Sequence, residues 1–183
     1  TGNTDPEISY IPTMDMTLTP LFVPVGPFIT EVHYQPLEGE SHEFIEIHNA
    51  TDTSMEIGGY RFNDGVDITF PNNTVKSPGE YEIIAEANCQ VFEWQSGKLA
   101  NEGETIRLVD PNGEVMDILS YAPDEPWPSL AAGGGSSLHL RANTLDNDLP
   151  SSWEAAEVGG PACSDTKTHT DALRKQRRTH WPL

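Results

Sequence analysis

Residues 42–74 constrain the fold of this chain more than any other stretch of its sequence. Branched apolar residues alternate with polar ones up to Asn49, the pair Gly58-Gly59 follows, and an aromatic residue, Tyr60, resumes the pattern. Successive side chains of a strand point to opposite faces, so alternation interrupted by turn formers is typical of consecutive strands. The stretch therefore predicts a strand, a turn and a second strand.

Short segments of the same kind recur along the chain, separated by turns rich in Gly, Pro and Asn. The clearest hairpin joins residues 104–110 to residues 114–121 through a Pro-Asn-Gly turn. This spacing predicts an all-β sandwich, with one short helical turn at residues 88–94. The predicted strands are residues 28–34, 43–49, 60–62, 66–70, 80–86, 104–110, 114–121 and 137–141. The residues predicted to face inward are Ile29, Ile45, Ile47, Ile83, Ile106, Leu108 and Leu138.

Charge is the extreme feature of the composition. The chain carries 10 basic and 29 acidic residues, a net charge of −19. Half of the basic residues lie in the last twenty positions, so residues 1–163 hold five basic and 27 acidic groups. Such a surface repels phosphate backbones, which makes nucleic acid an unexpected partner for this part of the chain. It suits a high-salt medium, divalent cations or a cationic partner, and it also promotes solubility through self-repulsion.

Three parts of the chain differ in composition. Residues 1–27 hold five prolines and predict a Pro-rich N-terminal linker, whereas residues 28–163 carry the strand pattern. Residues 164–183 are polar and then basic, and predict a disordered tail whose basic run is either an anchor for anionic surfaces or a plain disordered end. No stretch approaches the ~20 apolar residues of a transmembrane helix. Cys89 and Cys163 permit one disulfide or two free thiols.

Several short motifs follow one another in a specific order. They are Ile29-Thr30-Glu31-Val32, the run Glu-Phe-Ile-Glu-Ile-His-Asn at 43–49, Gly59-Tyr60, Phe70-Pro71, Pro78-Gly79, the strand at 104–108, Trp127-Pro128, the segment 133–140 and Trp153. This order resembles the lamin-tail domain of the bacterial type. The resemblance implies an immunoglobulin-like β-sandwich of about seven to nine strands.

The resemblance also implies a role. It indicates a module that binds or tethers and is not an enzyme, with a protein, cell-surface or polysaccharide ligand. Such modules are often carried by larger exported proteins, so we expect an extracellular or cell-surface location and partner domains in a longer parent protein. A structural protein that associates with itself through edge strands is a further alternative.

Two acidic turns are candidate metal sites. Asp64 and Asp67 flank one turn, and Asp146 and Asp148 lie in another. Carboxylate oxygens that alternate along a turn suit Ca²⁺, which takes six to eight oxygen ligands. The main alternative function is therefore a Ca²⁺-dependent surface or carbohydrate-binding module. The other interpretation is that these side chains stabilise their own turns.

Two further sets of side chains on the first strands are candidate catalytic or metal-binding residues. Glu31, Glu43 and Glu46 lie on neighbouring predicted strands, and a hydrolase would need two such carboxyls in a cleft. His33, His42 and His48 are a candidate transition-metal cluster if the strand register brings them together. The simpler interpretation is that these acids and histidines face solvent, opposite the apolar stripe of Ile45 and Ile47. Ser136 and Ser137 lack the strand-to-helix turn that presents a nucleophilic serine in hydrolases.

Overall fold

Thirteen strands and three single-turn 3-10 helices occur in residues 26–85 and 92–156, the part of the chain that the computed structural model describes. The strands are β1 (Phe28–His33), β2 (Phe44–His48), β3 (Met55–Glu56), β4 (Arg61–Asp64), β5 (Val66–Thr69), β6 (Val75–Lys76), β7 (Tyr81–Ala85), β8 (Phe92–Glu93), β9 (Ser96–Gly97), β10 (Glu104–Val109), β11 (Val115–Tyr121), β12 (Leu138–Leu140) and β13 (Trp153–Ala155). The 3-10 helices are Glu40–His42, Ser129–Ala131 and Pro150–Ser152.

The strands form two main sheets that enclose one core. One sheet has six strands in the order β13-β12-β1-β2-β7-β8, and the other has five in the order β11-β10-β4-β5-β9. Neighbouring strands are antiparallel, except that β7 and β8 run parallel, and β3 and β6 form a small separate pair. The prediction of an all-β, immunoglobulin-like sandwich is confirmed. None of the helices in the described residues is long and apolar enough to cross a membrane.

The strand predictions were accurate where the sequence alternates. Each of the eight predicted strands is present within two residues of its predicted limits, and the hairpin of β10 and β11 forms as expected. The helical turn predicted at residues 88–94 is wrong where it can be checked, because β8 occupies its last part and pairs with β7. The predictions for Cys89, Cys163, the N-terminal linker before Gly26 and the C-terminal tail lie outside the described residues.

The core lies between the two sheets, and six of the seven residues predicted to face inward belong to it. Ile83 is the exception: it packs with Phe44 and Ala85 in a second, smaller cluster, while its neighbour Ile84 enters the main core. Alternation alone could not decide the orientation of β7, because both residues are apolar. The register decides it, since Ile84 lies opposite Ile45 of β2.

A bulge in β1 sets which of its side chains reach the core. The register with β2 shifts between Ile29 and Glu31, so that Ile29 and Val32 both belong to the main core although they are three residues apart. A bulge inserts an extra residue and changes which face the following side chains occupy. This shift leaves Glu31 opposite Glu46 on the other face of the sheet.

Candidate functional site

A buried polar network closes one end of the sandwich, where β1 and β11 begin. Oδ2 of Asp117 accepts hydrogen bonds from the backbone N–H of Ile29 at 2.6 Å and from Nδ2 of Asn147 at 2.7 Å. Nε1 of Trp153 donates to the backbone carbonyl of Asn147 at 2.7 Å. Burial raises the pKa of Asp117 to about 6, although these hydrogen bonds oppose the rise. The network joins the two sheets, and we call this end of the molecule the closed end.

Asn49 holds the loops of the closed end together. Its Nδ2 lies 2.9 to 3.1 Å from the backbone carbonyl oxygens of Thr53, Lys76 and Ser77. Its Oδ1 accepts from the backbone N–H and the hydroxyl of Thr51. An amide at the end of a strand thus bonds backbone groups of three loop positions.

Three loop segments meet at the opposite end of the sandwich, residues 34–43, 98–104 and 121–135, and we call this end the loop end. A carboxylate oxygen of the buried Glu43 accepts from the backbone N–H of Leu99 at 2.8 Å. The hydroxyl of Tyr121 donates to Oε1 of Glu104 and lies 2.9 Å from the carbonyl of Ala100. These contacts hold the first two segments against the end of β11.

Two tyrosines anchor the loop end to the core. The rings of Tyr34 and Tyr121 have centroids 4.5 Å apart. Burial, with Asp124 nearby, raises the pKa of Tyr34 to about 12, and burial together with Glu104 raises the pKa of Tyr121 well above its usual value. Both rings therefore stay neutral and lie beneath the loops rather than on their surface.

Two leucines are exposed in the loops of the loop end. Leu37 is 69 % exposed and Leu130 is 60 % exposed. Leu37 packs beside a glycine run that follows Leu130: a methyl group added at Gly135 would lie 2.8 Å from Cδ1 of Leu37, and one added at Gly134 would lie 2.5 Å from the backbone carbonyl oxygen of Leu130. A side chain at Gly135 would collide with Leu37, so this glycine permits residues 34–43 to pack against residues 121–135.

The loop end is also acidic. The three segments carry five exposed acids against one exposed base, Lys98, so their exposed residues carry a formal charge of −4. The acids are Glu38, Glu40, Glu102, Asp124 and Glu125. Nζ of Lys98 lies 2.8 Å from Oε1 of Glu40, and this contact raises the pKa of Lys98. The remaining carboxylates of the surface contribute an uncompensated negative potential.

The structure separates the four aspartates that the sequence marked as calcium candidates. Asp64 and Asp67 lie on either side of the tight β4–β5 turn, where a shallow depression is lined by Asn63, Ser96 and Gly97, among others. Oδ2 of Asp64 is 3.5 Å from the guanidinium of Arg107. This turn is at the loop end, since a methyl group at Gly65 would lie 3.1 Å from Oε2 of Glu104.

The second aspartate pair is at the closed end. Oδ1 of Asp146 accepts a hydrogen bond from the backbone N–H of Asp148 at 3.1 Å, which is the turn-stabilising role that the sequence offered as its alternative. Within residues 26–85 and 92–156, no three His, Cys, Asp or Glu side chains gather as a metal site would require. Calcium binding at either turn stays a prediction.

The histidines do not form the cluster that the sequence suggested. His33 lies opposite Phe44 and His48 lies opposite Phe28, so the two histidines are at opposite ends of the β1–β2 ladder. Burial lowers the pKa of His33, while nearby His42 also favours its neutral form. The ring of His48 instead stacks on Tyr81 at 3.9 Å. The register therefore rules out one metal site shared by the three.

The glutamates of β1 and β2 are close together but do not face solvent as expected. Glu31 and Glu46 are directly opposite in the ladder, and both are buried. Glu31 accepts from the hydroxyl of Ser137 at 2.6 Å, and Glu46 accepts from that of Thr30 at 2.8 Å. The expectation of solvent exposure was wrong because β1 and β2 are buried along their whole length, on both faces. Glu43, the third candidate, lies apart at the loop end.

Sequence reasoning missed the residues that most distinguish the two ends. Asp117 sits in an alternating strand, where an acid is ordinarily read as solvent-facing. One local feature of the sequence indicates its inward position: it lies two residues before Leu119, so both side chains are on the core face of the strand. Leu37 and Leu130 carry no such signal, because single leucines in loops are common.

Comparison with known proteins identifies the family of this chain. The family model of the Lamin Tail Domain matches residues 24–123, which is more than half of the chain. Comparison with curated proteins finds no match. The matched region ends after β11, so β12 and β13 extend the six-stranded sheet beyond it. The chain belongs to the lamin tail domain family, a family of non-catalytic, immunoglobulin-like domains.

Proposed function

We propose that this chain is a binding and tethering module of an exported or cell-surface protein, and that it holds a protein ligand at the loop end. The observation that carries the proposal is the exposure of Leu37 and Leu130 in two adjoining loop segments above a base of buried residues. Loops presented by a rigid sandwich are a common way to build a recognition surface.

The base of the loop end is fixed before any ligand arrives. Glu43 and Tyr121 each bond to the segment that precedes β10, and Tyr34 packs on Tyr121. Side chains that are already ordered lose little conformational freedom on binding, which favours affinity. A rigid base beneath exposed apolar side chains supports a binding role.

The proposed location outside the cell rests on family and charge. The chain belongs to the lamin tail domain family, and the resemblance to that family implies a module of an exported protein. The strongly negative charge of residues 1–163 suits a saline medium. Antibody labelling of intact cells of the source organism tests this location: labelling that requires permeabilised cells would contradict it.

Site-specific photo-cross-linking tests the ligand-binding surface. A benzophenone amino acid replaces Leu130 in one variant and Leu149, which is 50 % exposed at the closed end, in a matched control. Each protein is irradiated with the cell-surface fraction of the source organism. We expect one discrete protein adduct from position 130 and none from position 149.

A second substitution shows whether the adduct depends on the surface itself. Adding Leu37→Ser to the position-130 variant should abolish the adduct, because the ligand loses half of its apolar contact. Circular dichroism confirms that the variants remain folded. The same adduct from both positions, or an adduct that persists with Leu37→Ser, would sink the proposal.

A further inference from the structure

The outer face of the six-stranded sheet, which is turned away from the core, is buried nearly as deeply as the core. The side chains of β1, β2 and β7 on this face are Glu31, His33, Phe44, Glu46, Ile83 and Ala85, and none of them is more than 5 % exposed. Among the described residues, the main contacts of β2 are with β1 and β7, which lie beside it in the same sheet rather than above it. The burial of this face therefore has another source.

The five-stranded sheet provides the comparison, because its outer face is open along β5. In that strand the buried residues Val66 and Ile68 alternate with the exposed residues Asp67 and Thr69. An antiparallel sheet with one face in water has this alternation, whereas a sheet covered on both faces loses it. Neither β1 nor β2 has an exposed position. The six-stranded sheet is therefore covered on its outer face.

The outer face combines carboxylates with an apolar cluster. Glu31 and Glu46 lie directly opposite each other, with His139 on one side of the pair and Ile83 on the other, so one row crosses four strands. Phe44 belongs to the apolar cluster beside this row. Two buried carboxylates at neighbouring positions are stable when positive charge and hydrogen-bond donors compensate them. A suitable cover therefore carries positive charge.

The distribution of basic residues indicates where this charge comes from. Residues 1–163 hold five bases. Four of them, Lys76, Lys98, Arg107 and Arg141, form ion pairs with other carboxylates, and Arg61 lies on β4 of the other sheet. The remaining bases are in residues 164–183, and most of them form one run at positions 174–178. Residues 1–25 hold acids and no base, so they lack the complementary charge.

The basic run is within reach of the outer face. It follows β13, which is an edge strand of the six-stranded sheet, and the backbone N–H of Ala156 still donates to the carbonyl of Ser137 just after that strand. Since β13 and β2 are separated by β12 and β1, the distance between them is about 14 Å. An extended chain spans about 3.3 Å per residue, so residues 157–173 are long enough to carry the run to any point on this face.

We propose that the C-terminal segment of this chain, residues 157–183, covers the outer face of its own six-stranded sheet, with the basic run at 174–178 against Glu31 and Glu46. Arginine suits this position, because its guanidinium is weakly hydrated and pairs with a carboxylate through two parallel hydrogen bonds. The polar composition of the segment predicts disorder in isolation, and the sheet supplies the charge and the apolar contact that the segment lacks. This contact is independent of the ligand surface at the loop end.

Carboxyl footprinting of the full-length protein tests the cover. A carbodiimide couples glycine ethyl ester to accessible carboxylates, and mass spectrometry measures the labelling rate of each acid. In the wild type, Glu31 and Glu46 should react at least about tenfold more slowly than the exposed Glu102. Changing Arg174, Arg177 and Arg178 to Gln should accelerate both buried acids at least about fivefold and leave Glu102 unchanged, because the segment loses its charge pairs.

Changing the same three arginines to Lys is the matched control. The charge returns, so Glu31 and Glu46 should react more slowly than in the Gln variant. Circular dichroism confirms that both variants remain folded. Fast labelling of the two acids in the wild type, unchanged slow labelling in the Gln variant, or equal rates in the Gln and Lys variants would each overturn the inference.

Zero-length cross-linking identifies the contact and the chain that makes it. Without an added amine, the same carbodiimide joins the ammonium group of Lys175 to a carboxylate in direct contact with it. In a mixture of light and heavy isotope-labelled protein, we expect links from Lys175 to Glu31 or Glu46 within one chain. Links between light and heavy chains would overturn the inference, because the segment of a second copy would then cover the face. Links to exposed acids alone would overturn it as well.

Discussion

The two ends of the sandwich use polar residues in opposite ways. At the closed end, Asp117, Asn147 and Asn49 turn their polar atoms inward, where they bond to backbone groups of several elements. At the loop end, Glu43 is buried in the same way, but five other carboxylates are exposed. Buried polar groups contribute to stability only when each has a partner, whereas exposed charges contribute little to stability and much to recognition. We therefore expect substitutions at the closed end to affect stability most, and substitutions of exposed residues at the loop end to affect it least.

Removal of the central carboxylate of the closed end should have the largest effect. Asp117→Ala leaves the backbone N–H of Ile29 and the amide of Asn147 buried without their acceptor. We expect a loss of about 3–4 kcal/mol in the free energy of unfolding, measured by urea denaturation. Glu102→Ala at the loop end is the control and should change it by less than about 0.5 kcal/mol. Similar losses at both ends would break the comparison.

The stability of the closed end should also depend on pH. The pKa of Asp117 is raised from 3.8 to about 6, so the folded state holds this proton more tightly than the unfolded state does. The stabilisation is therefore complete below pH 3.8 and is lost as the pH rises through about 6. Relative to Asp117→Asn, the wild-type free energy of unfolding should fall by about 2–3 kcal/mol across this window. A constant difference between the two proteins in denaturation series at pH 4, 5, 6 and 7 would contradict a raised pKa.

Substitution of Asn49 tests how much its side-chain hydrogen bonds to the loops of the closed end contribute to stability. Asn49→Ala removes the amide that contacts three backbone carbonyls, and we expect a loss of about 2 kcal/mol. Asn112→Ala is the matched control, because Asn112 is exposed in the β10–β11 turn and its side chain bonds only to Asp110 among the described residues. Thermal melting of both variants measures the difference, and equal shifts would show that the buried contacts of Asn49 add nothing.

Leucine replacement at the loop end should leave stability almost unchanged. Leu37 is largely exposed, so Leu37→Ser should alter the free energy of unfolding by no more than about 0.5 kcal/mol while it weakens ligand binding. Urea denaturation measures the first effect, and the yield of the position-130 adduct measures the second. A large loss of stability would mean that the loop end is a structural element rather than a binding surface.

Calcium should have the smallest effect at both ends. Asp64 already faces Arg107, and Asp146 already bonds to its own turn, so we expect millimolar Ca²⁺ to shift the melting temperature by less than about 1 °C. A rise of several degrees that is lost with Asp64→Ala would establish a site at the loop end. The same loss with Asp148→Ala would place the site at the closed end, and either result would revive a calcium-dependent module.

The local sequence pattern was sufficient to predict the strands, but it did not predict what covers each face of the sheets. Ile45 and Ile47 were correctly placed in the core, because alternation reports the face of a strand directly. The burial of Glu31 and Glu46 was missed, since alternation does not reveal whether the second face of a sheet is also covered. Asp117 was missed for a related reason: its partners, Ile29 and Asn147, are 88 and 30 residues away.

The sequence by itself determined the all-β class, the positions of the eight main strands and the lamin tail resemblance that the family match confirms. These properties depend on residues that are neighbours along the chain, so their spacing is visible in one dimension. Only the tertiary structure decided which acids are buried, that the histidines are apart, and that Leu37 packs beside Gly135 from a distant loop. Those properties depend on strand register and on loops that meet from distant parts of the chain, which no local pattern encodes.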